Sequence, residues 1–198
     1  MKFALLTTFC LTIGITLSAQ TVTIPRSRLA STIRDSIAWS RNHTTRAAML
    51  TLGSWATLNI ASGFIVSNRQ VGPTRYAWQM NAYWNIVNLG LAGMGYLHAV
   101  KEVKKSFSAL ENYDAQLTLE KIYYFNLGLD LGYIATGLFL HERGMNTTNA
   151  KTSAQLQGYG TSILIQGGFL LIMDGTMILL HHRNTARARA RLQAAYRP

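Results

Sequence analysis

Four long apolar stretches alternate with polar segments along the chain. Each is close to the ~20 residues that a helix needs to cross the hydrocarbon core of a bilayer. Apart from residues at their ends, the only charged side chains in these stretches are Asp130 and Asp174. The pattern predicts four transmembrane helices, at roughly 46–67, 78–100, 122–142 and 159–182.

One face of these predicted helices carries polar side chains. On the second helix, Asn81, Asn85 and Asn88 recur at i, i+4 and i+7. Hydrocarbon offers such groups no hydrogen-bond partner, so we expect them to face other helices. The predicted buried polar network consists of Asn59, Asn81, Asn85, Asn88, Asn126, Asp130, Gln166 and Asp174.

Basic segments flank the apolar region. Before it, Leu29, Ile33 and Ile37 recur at helical spacing among arginines, which predicts an amphipathic helix. After it, the chain ends in an arginine-rich tail. The predicted fold class is therefore all-α: an antiparallel four-helix transmembrane bundle over 46–183, with a basic amphipathic N-terminal helix within 20–45 and a basic C-terminal tail at 184–198.

Composition and charge narrow the range of partners. Charged residues make up only 14% of the chain, against about a quarter in soluble domains, which favours a membrane protein. The net charge of +11 would suit nucleic acid, but the basic residues flank the apolar stretches instead of forming a separate domain. We therefore expect the bilayer and its anionic headgroups as partners, and no nucleic acid. The candidate headgroup contacts are Arg28, Arg34, Arg187 and Arg191, with a solubilising rim as the alternative for the tail.

Residues 1–19, MKFALLTTFCLTIGITLSA, have the pattern of a secretory signal peptide, and a retained N-terminal helix is the alternative. Cys10 is the only cysteine and would leave with the signal, so the mature chain would form no disulfide. Lysine and arginine concentrate before the first helix, between the second and third, and after the fourth. The positive-inside rule places these segments in the cytoplasm, whereas signal cleavage places them outside, so the sidedness stays open.

Two carboxyl groups within the apolar stretches are the sharpest candidates for function. Asp130 follows Ile122 by eight residues, and Asp174 precedes His182 by eight. Antiparallel helices would place both ~12 Å below the same membrane surface. Side by side in hydrocarbon they cannot both stay ionised, so one holds a proton or the pair meets a cation. Two roles remain open: a proton or ion site, and a structural pair bonded to neighbouring asparagines.

Other motifs are less specific. His98, His181 and His182 fall near one membrane surface and are the candidate metal ligands, with interfacial side chains that bind nothing as the alternative. Gly128 and Gly132 form a GxxxG pattern, which is typical of closely packed membrane helices. The sequence identifies no cofactor.

Several elements resemble a family of uncharacterised bacterial membrane proteins that carry a domain of unknown function. They are QMN followed by WN and N (Gln79–Asn88), GLDxxYI (Gly128–Ile134) and a QGxFL element that ends in aspartate (Gln166–Asp174). The resemblance covers about residues 46–183 and implies a secretory-type N-terminus and four spans. Trp78 stands where such relatives are expected to carry a histidine, which weakens the case for a metal site there. The resemblance implies a fold and a membrane location but no activity.

Two hypotheses of different class follow. The favoured one is a non-enzymatic binding or partner subunit, multi-pass in the bacterial inner membrane, whose polar network fixes helix packing and whose partner is another membrane protein or a second copy. The alternative is an ion- or proton-coupled transporter, or a membrane enzyme, that uses Asp130 and Asp174. A solvated cavity at Asp130 would favour the alternative, because a packing role requires a dry and fully bonded network.

Overall fold

The computed structural model describes residues 26–102 and 107–196, which are helical apart from short connections. The helices are α1 (Arg26–Ser67), α2 (Gly72–Glu102), α3 (Ala109–Met145) and α4 (Ala150–Tyr196). Short connections join α1 to α2 and α3 to α4, so each pair forms an antiparallel hairpin. The prediction of an all-α fold with four helices is confirmed. The predicted signal peptide lies outside the described residues.

The helices extend well beyond the apolar stretches. α1 has 42 residues, α3 has 37 and α4 has 47. The described part of the predicted amphipathic segment, 26–45, belongs to α1, and the basic tail continues α4 as far as Tyr196. The predicted ends at 67, 100 and 142 lie within three residues of the observed ends, but the four predicted starts and the predicted end at 182 are wrong. An apolar run shows where the surroundings of a helix are apolar, whereas the ends of the helix depend on caps and neighbouring elements.

The extensions meet at the basic end of the bundle, where α1 and α3 begin and α2 and α4 end. There, Ile33 and Ile37 of α1 are buried against Ala109 of α3 and Ala188 of α4. The side chain of Leu29 lies outside the described residues. At Ile33 and Ile37, the apolar face of the amphipathic segment is therefore covered by other helices and not by lipid. Helical spacing alone shows that a face is apolar but not whether protein or membrane covers it.

A capping box starts α3 at the basic end. The Ser108 side chain accepts a hydrogen bond from the Glu111 backbone N–H, and the Glu111 carboxylate accepts one from the Ser108 backbone N–H. These bonds favour the ionised carboxylate and hold the pKa of Glu111 below its usual range. The cap explains why α3 begins well before its apolar stretch.

Packing is uneven around the bundle. α1 packs along α2, α3 packs along α4, and α4 also packs against α1 and α2. Between α2 and α3, by contrast, no two Cα atoms lie within 8 Å of each other in the described chain. Because both helices pack against α4, a gap remains between them over one face of α4.

Glycines allow the close approach of α3 and α4. A Cβ atom at Gly137 would lie 2.9 Å from the Gly160 carbonyl oxygen, and one at Gly160 would lie 2.6 Å from the Gly137 carbonyl oxygen. Around Gly128 and Gly132, no neighbouring atom of the described chain lies within 4 Å of such a Cβ. The GxxxG interpretation is therefore wrong, because two small residues one turn apart do not reveal which face of a helix meets its neighbour.

The bundle exposes large apolar side chains on its outside and buries polar side chains in its interior. Two of the described helices are long and apolar enough to cross a membrane, within Ala30–Ser67 and Ala150–Ala195. Large apolar side chains are nevertheless exposed on all four helices. Examples are Leu58, Phe64, Ile86, Met94, Phe125, Leu131, Phe139, Ile172 and Leu179.

Candidate functional site

Side chains of α1, α2 and α4 close a ring of hydrogen bonds, called here the amide ring (Trp55, Asn59, Asn81 and Gln166). Trp55 Nε1 donates to Gln166 Oε1 at 2.9 Å, and Gln166 Nε2 donates to Asn81 Oδ1. Asn81 Nδ2 donates to Asn59 Oδ1, and Asn59 Nδ2 donates to the Trp55 carbonyl oxygen at 2.8 Å. Each member therefore has partners, as a packing role requires.

The other two asparagines of α2 lead away from the amide ring toward the gap between α2 and α3. Asn85 Nδ2 donates to the Asn81 carbonyl oxygen at 2.8 Å, and Asn88 Nδ2 donates to Asn85 Oδ1 at 3.3 Å. All three asparagines are buried, whereas Asn59 of α1 is half-buried. The polar stripe of α2 thus points into the bundle.

A cavity of about 480 Å³, called here the carboxylate cavity, lies in the gap between α2 and α3. Asp130 of α3 and Asp174 of α4 both line it, as do the amides of Asn88 and Asn126. Most of the remaining lining is aromatic or aliphatic, and includes Trp84, Leu91, Tyr123, Tyr133, Leu170 and Met173. The two aspartates therefore meet in one largely apolar space.

The two carboxyl groups differ in their partners. Asp130 is 2% exposed, and its Oδ2 has no hydrogen-bond partner among the residues that the structure describes. The buried Asp174 lies beside the Asn126 side chain and close enough to Asp130 for their charges to interact. Two buried carboxyl groups that share a cavity cannot both stay ionised without a cation. The site therefore requires a proton or a cation.

The carboxylate cavity is closed at one end and open along its side. Trp84 of α2 and Tyr133 of α3 meet edge to face, with ring centroids 4.9 Å apart, at the end of the cavity farther from the basic end. Val87, Leu91 and Leu129 line the cavity and are also exposed on the outside of the bundle. The opening therefore faces the same surroundings as the apolar exterior.

The part of the chain that contains both aspartates also matches a known protein family. A family of unknown function, DUF6992, matches residues 51–175, which is more than half of the sequence. The chain belongs to this family. The resemblance to an uncharacterised family is thereby confirmed. No curated protein and no solved structure matches the chain.

The region matched by DUF6992 contains the amide ring and both carboxyl groups. It ends before the buried His181, and it begins after Arg41, which is 1% exposed. Arg41 donates to Glu102 Oε2 at 3.0 Å and to the Asn112 carbonyl oxygen at 2.9 Å, so it links α1 to α2 and α3. Sequence reasoning missed this buried arginine. The available signal was its position four residues after Ile37, on the buried face of α1.

The candidate metal ligands do not come together. His181 is fully buried, and its Nδ1 accepts a hydrogen bond from Gln116 Nε2 at 3.0 Å. His182 and His98 are exposed and each faces a single glutamate. Within the ranges 26–102 and 107–196, no three His, Cys, Asp or Glu side chains form a group that fits a metal ion. The interpretation of His181 as an interfacial side chain is also wrong, because packing of α3 against α4 buries it.

The four arginines assigned to lipid headgroups lie on the helical extensions outside the DUF6992 match. Arg28 and Arg187 are exposed. Arg34 Nε pairs with Asp35 Oδ1 at 2.8 Å, and Arg191 donates to the Ser36 hydroxyl. Two of these four side chains therefore already have a partner within the protein.

Proposed function

We propose that this DUF6992 protein is a non-enzymatic, multi-pass protein of the bacterial inner membrane that binds a small organic cation in its carboxylate cavity. Two long apolar helices and an apolar exterior around a polar interior support the membrane location. The hydrocarbon of the bilayer would cover the large apolar side chains that all four helices expose.

The observation that carries the proposal is the unpartnered Oδ2 of buried Asp130 in a cavity that it shares with Asp174. A buried carboxylate oxygen without a partner is costly, so a ligand that donates a hydrogen bond there would stabilise the site. Trp84 and Tyr133 add aromatic faces or edges to the lining, and aromatic faces attract organic cations. An ammonium group meets both requirements.

The size and lining of the cavity favour an organic cation over a metal ion. Its volume of about 480 Å³ lies within the range of about 300–1,000 Å³ that is usual for small-molecule sites. Calcium needs about six to eight oxygen ligands, whereas this lining is mostly apolar. The lateral opening between α2 and α3 would admit an amine whose apolar part is dissolved in the bilayer.

Two different roles for the polar interior follow. The amide ring is fully bonded and fixes the packing of α1, α2 and α4. The carboxyl groups of Asp130 and Asp174 would bind the ligand.

Dicyclohexylcarbodiimide tests the proposal, because this apolar reagent adds its whole mass to a protonated buried carboxyl group as an N-acylurea. Purified protein in neutral detergent is treated with the reagent, and the modified aspartates are located by peptide mass spectrometry. We expect labelling of Asp130 or Asp174, protection by hexylammonium, and no protection by hexanol, which has the same apolar chain without the charge. Asp130→Asn, whose folding is checked by its melting temperature, should lose the protection by hexylammonium.

Equal protection by hexanol and hexylammonium would contradict cation binding, because it would show an apolar pocket with no preference for charge. Protection by hexylammonium that persists in Asp130→Asn would also contradict it.

Coupled transport is a second candidate, supported by a further cavity. This cavity of about 310 Å³ is lined by Asn59 and Asn81 of the amide ring and by Ser162, whose buried hydroxyl has no partner in the described chain. The amide ring thus borders this second cavity, and hydrogen bonds through Asn85 and Asn88 connect it to the carboxylate cavity. A transporter needs such a barrier between the access routes from its two sides. Hexylammonium uptake into proteoliposomes under a pH gradient, absent in Asp130→Asn, would support transport. Binding without uptake would exclude it.

A further inference from the structure

We infer that a second binding site, for a phosphate ester, lies at the basic end of the bundle. It is a cavity of about 300 Å³ between α1 and the beginning of α3, and its lining includes Arg34, Asp35, Trp39, Asn42, Arg46 and Asn112. It shares no lining residue with the carboxylate cavity, and the inference does not depend on cation binding there.

Two buried amide atoms that line this cavity have no hydrogen-bond partner in the described chain. Asn42 is 3% exposed, and its Nδ2 has no hydrogen-bond acceptor among the described residues. Asn112 is also buried, and its Nδ2 donates to the Ser108 carbonyl oxygen. Its Oδ1 has no donor in the same part of the chain and would accept a hydrogen bond from a hydroxyl group of the ligand, not from the phosphate. A buried N–H group without an acceptor costs free energy, so an oxygen-rich ligand in the cavity would stabilise it.

Two arginines in the lining favour a negatively charged ligand. Arg46 is held by Tyr96 of α2: its guanidinium donates to the Tyr96 hydroxyl at 3.3 Å and lies 5.4 Å from the ring centroid. Arg34 pairs through its Nε with Asp35, a largely exposed carboxylate that also lines the cavity and offsets one of the two positive charges. The two terminal nitrogens of Arg34 have no hydrogen-bond partner within the described ranges. Guanidinium groups bind phosphate oxygens through paired hydrogen bonds. With Asn42 as a third donor, the cavity fits a phosphate group.

The position of the cavity indicates the source of the phosphate. Arg46 marks the start of the first apolar stretch, so the cavity lies at the depth of lipid headgroups if that stretch spans the bilayer. Trp39 is exposed and stacks on His43, with ring centroids 4.9 Å apart. Tryptophan is enriched at membrane interfaces, which agrees with this depth. A phospholipid is therefore the nearer source, and a soluble phosphate ester is the other.

Native mass spectrometry of the purified full chain tests the site with three probes. They are phosphatidylglycerol, diacylglycerol with the same acyl chains but no phosphate, and glycerol 3-phosphate as a soluble competitor. We expect retention of phosphatidylglycerol and not of diacylglycerol. Loss of a charge-assisted hydrogen bond should weaken retention by about tenfold or more in Arg46→Gln and in Asn42→Asp, which keeps the shape of the amide but removes its donor.

Arg183→Gln is the matched control, because Arg183 is an exposed arginine at the same end of the bundle that does not line the cavity. It should leave retention of phosphatidylglycerol unchanged. If Asn42→Asp does not fold, Arg46→Gln and Arg34→Gln decide the question, since both replace side chains that are not fully buried.

Each outcome has a defined meaning. Displacement of phosphatidylglycerol by glycerol 3-phosphate supports a phosphate site that accepts a soluble ester, and retention despite the competitor supports a lipid site. Equal retention of diacylglycerol would overturn the inference. A loss as large in Arg183→Gln as in Arg46→Gln would also overturn it, because general surface charge would then explain the binding.

Discussion

Gln166 of α4 donates a hydrogen bond to Asn81 of α2, although the two residues are 85 positions apart in the sequence. Gln166 also accepts one from Trp55 of α1, so a single amide links three helices. Because Asn81 and Gln166 are buried away from water, each would be costly to leave unpaired. The pair therefore specifies how α2 and α4 sit against each other.

Alanine substitutions of Asn81 and Gln166 should be energetically coupled. Such bonds between membrane helices are worth about 0.6 kcal/mol on average and up to about 1.7 kcal/mol, and the closed ring places this coupling toward the upper value. A double-mutant cycle on unfolding in mixed micelles measures it. The control pair is Thr57→Ala with Thr176→Ala, exposed threonines that bond only within their own helices. Additive effects of Asn81→Ala and Gln166→Ala would contradict the ring.

Glycine substitutions in α3 and α4 should differ in sign. Gly160→Ala places a methyl group 2.6 Å from the Gly137 carbonyl oxygen, and such overpacking costs about 1–3 kcal/mol. Gly132→Ala meets no neighbouring atom, so improved helix propensity should stabilise the fold by about 0.5–1 kcal/mol. Melting temperatures of both variants check the contrast. Equal effects would show that α3 and α4 do not cross at Gly137.

Removal of the buried guanidinium group should destabilise the basic end. Arg41→Met leaves Glu102 with only the exposed His98 as a partner in the described chain. Because Glu102 is partly exposed, the loss should be at most about 3–5 kcal/mol, the cost of breaking a buried ion pair. The double variant Arg41→Met/Glu102→Gln should recover much of the loss, because no unpaired charge remains. Asp35→Asn, which breaks the exposed pair with Arg34, should change the melting temperature little. An unstable double variant would locate the cost in packing and not in charge.

Two neighbouring histidines should respond differently to substitution. His181→Ala removes a buried ring that stacks on Tyr123 and bonds to Gln116, at a cost of about 2–4 kcal/mol. His182→Ala removes a ring that is 68% exposed, so the melting temperature should change little. Similar losses in both variants would contradict the assignment of His181 to the interior.

Much of the fold is predictable from the sequence because helices bury side chains with a regular period. Four apolar stretches of membrane-spanning length indicate four helices, and the i, i+4, i+7 spacing groups Asn81, Asn85 and Asn88 on one face. The structure buries all three. The antiparallel order of the helices and the rise per residue of an α-helix likewise predict that Asp130 and Asp174 lie at similar depth. In the structure, both line one cavity.

The packing of the helices determined which of their faces meet and which side chains are buried, and the helical period does not predict either. Period alone cannot show that α3 meets α4 at Gly137 instead of along Gly128 and Gly132, or that His181 is buried while His182 is exposed. Residues one position apart point in directions about 100° apart, and which direction becomes interior depends on where the other helices lie.

The sequence by itself determined the helical class, the apolar stretches and the polar faces, since these follow from the chemistry and spacing of neighbouring residues. Only the tertiary structure decided that α2 and α3 stay apart, that a cavity forms between them, and that Arg41 is buried beside Glu102. These features arise from contacts between helices that are distant in sequence, and the shape of the whole bundle sets them.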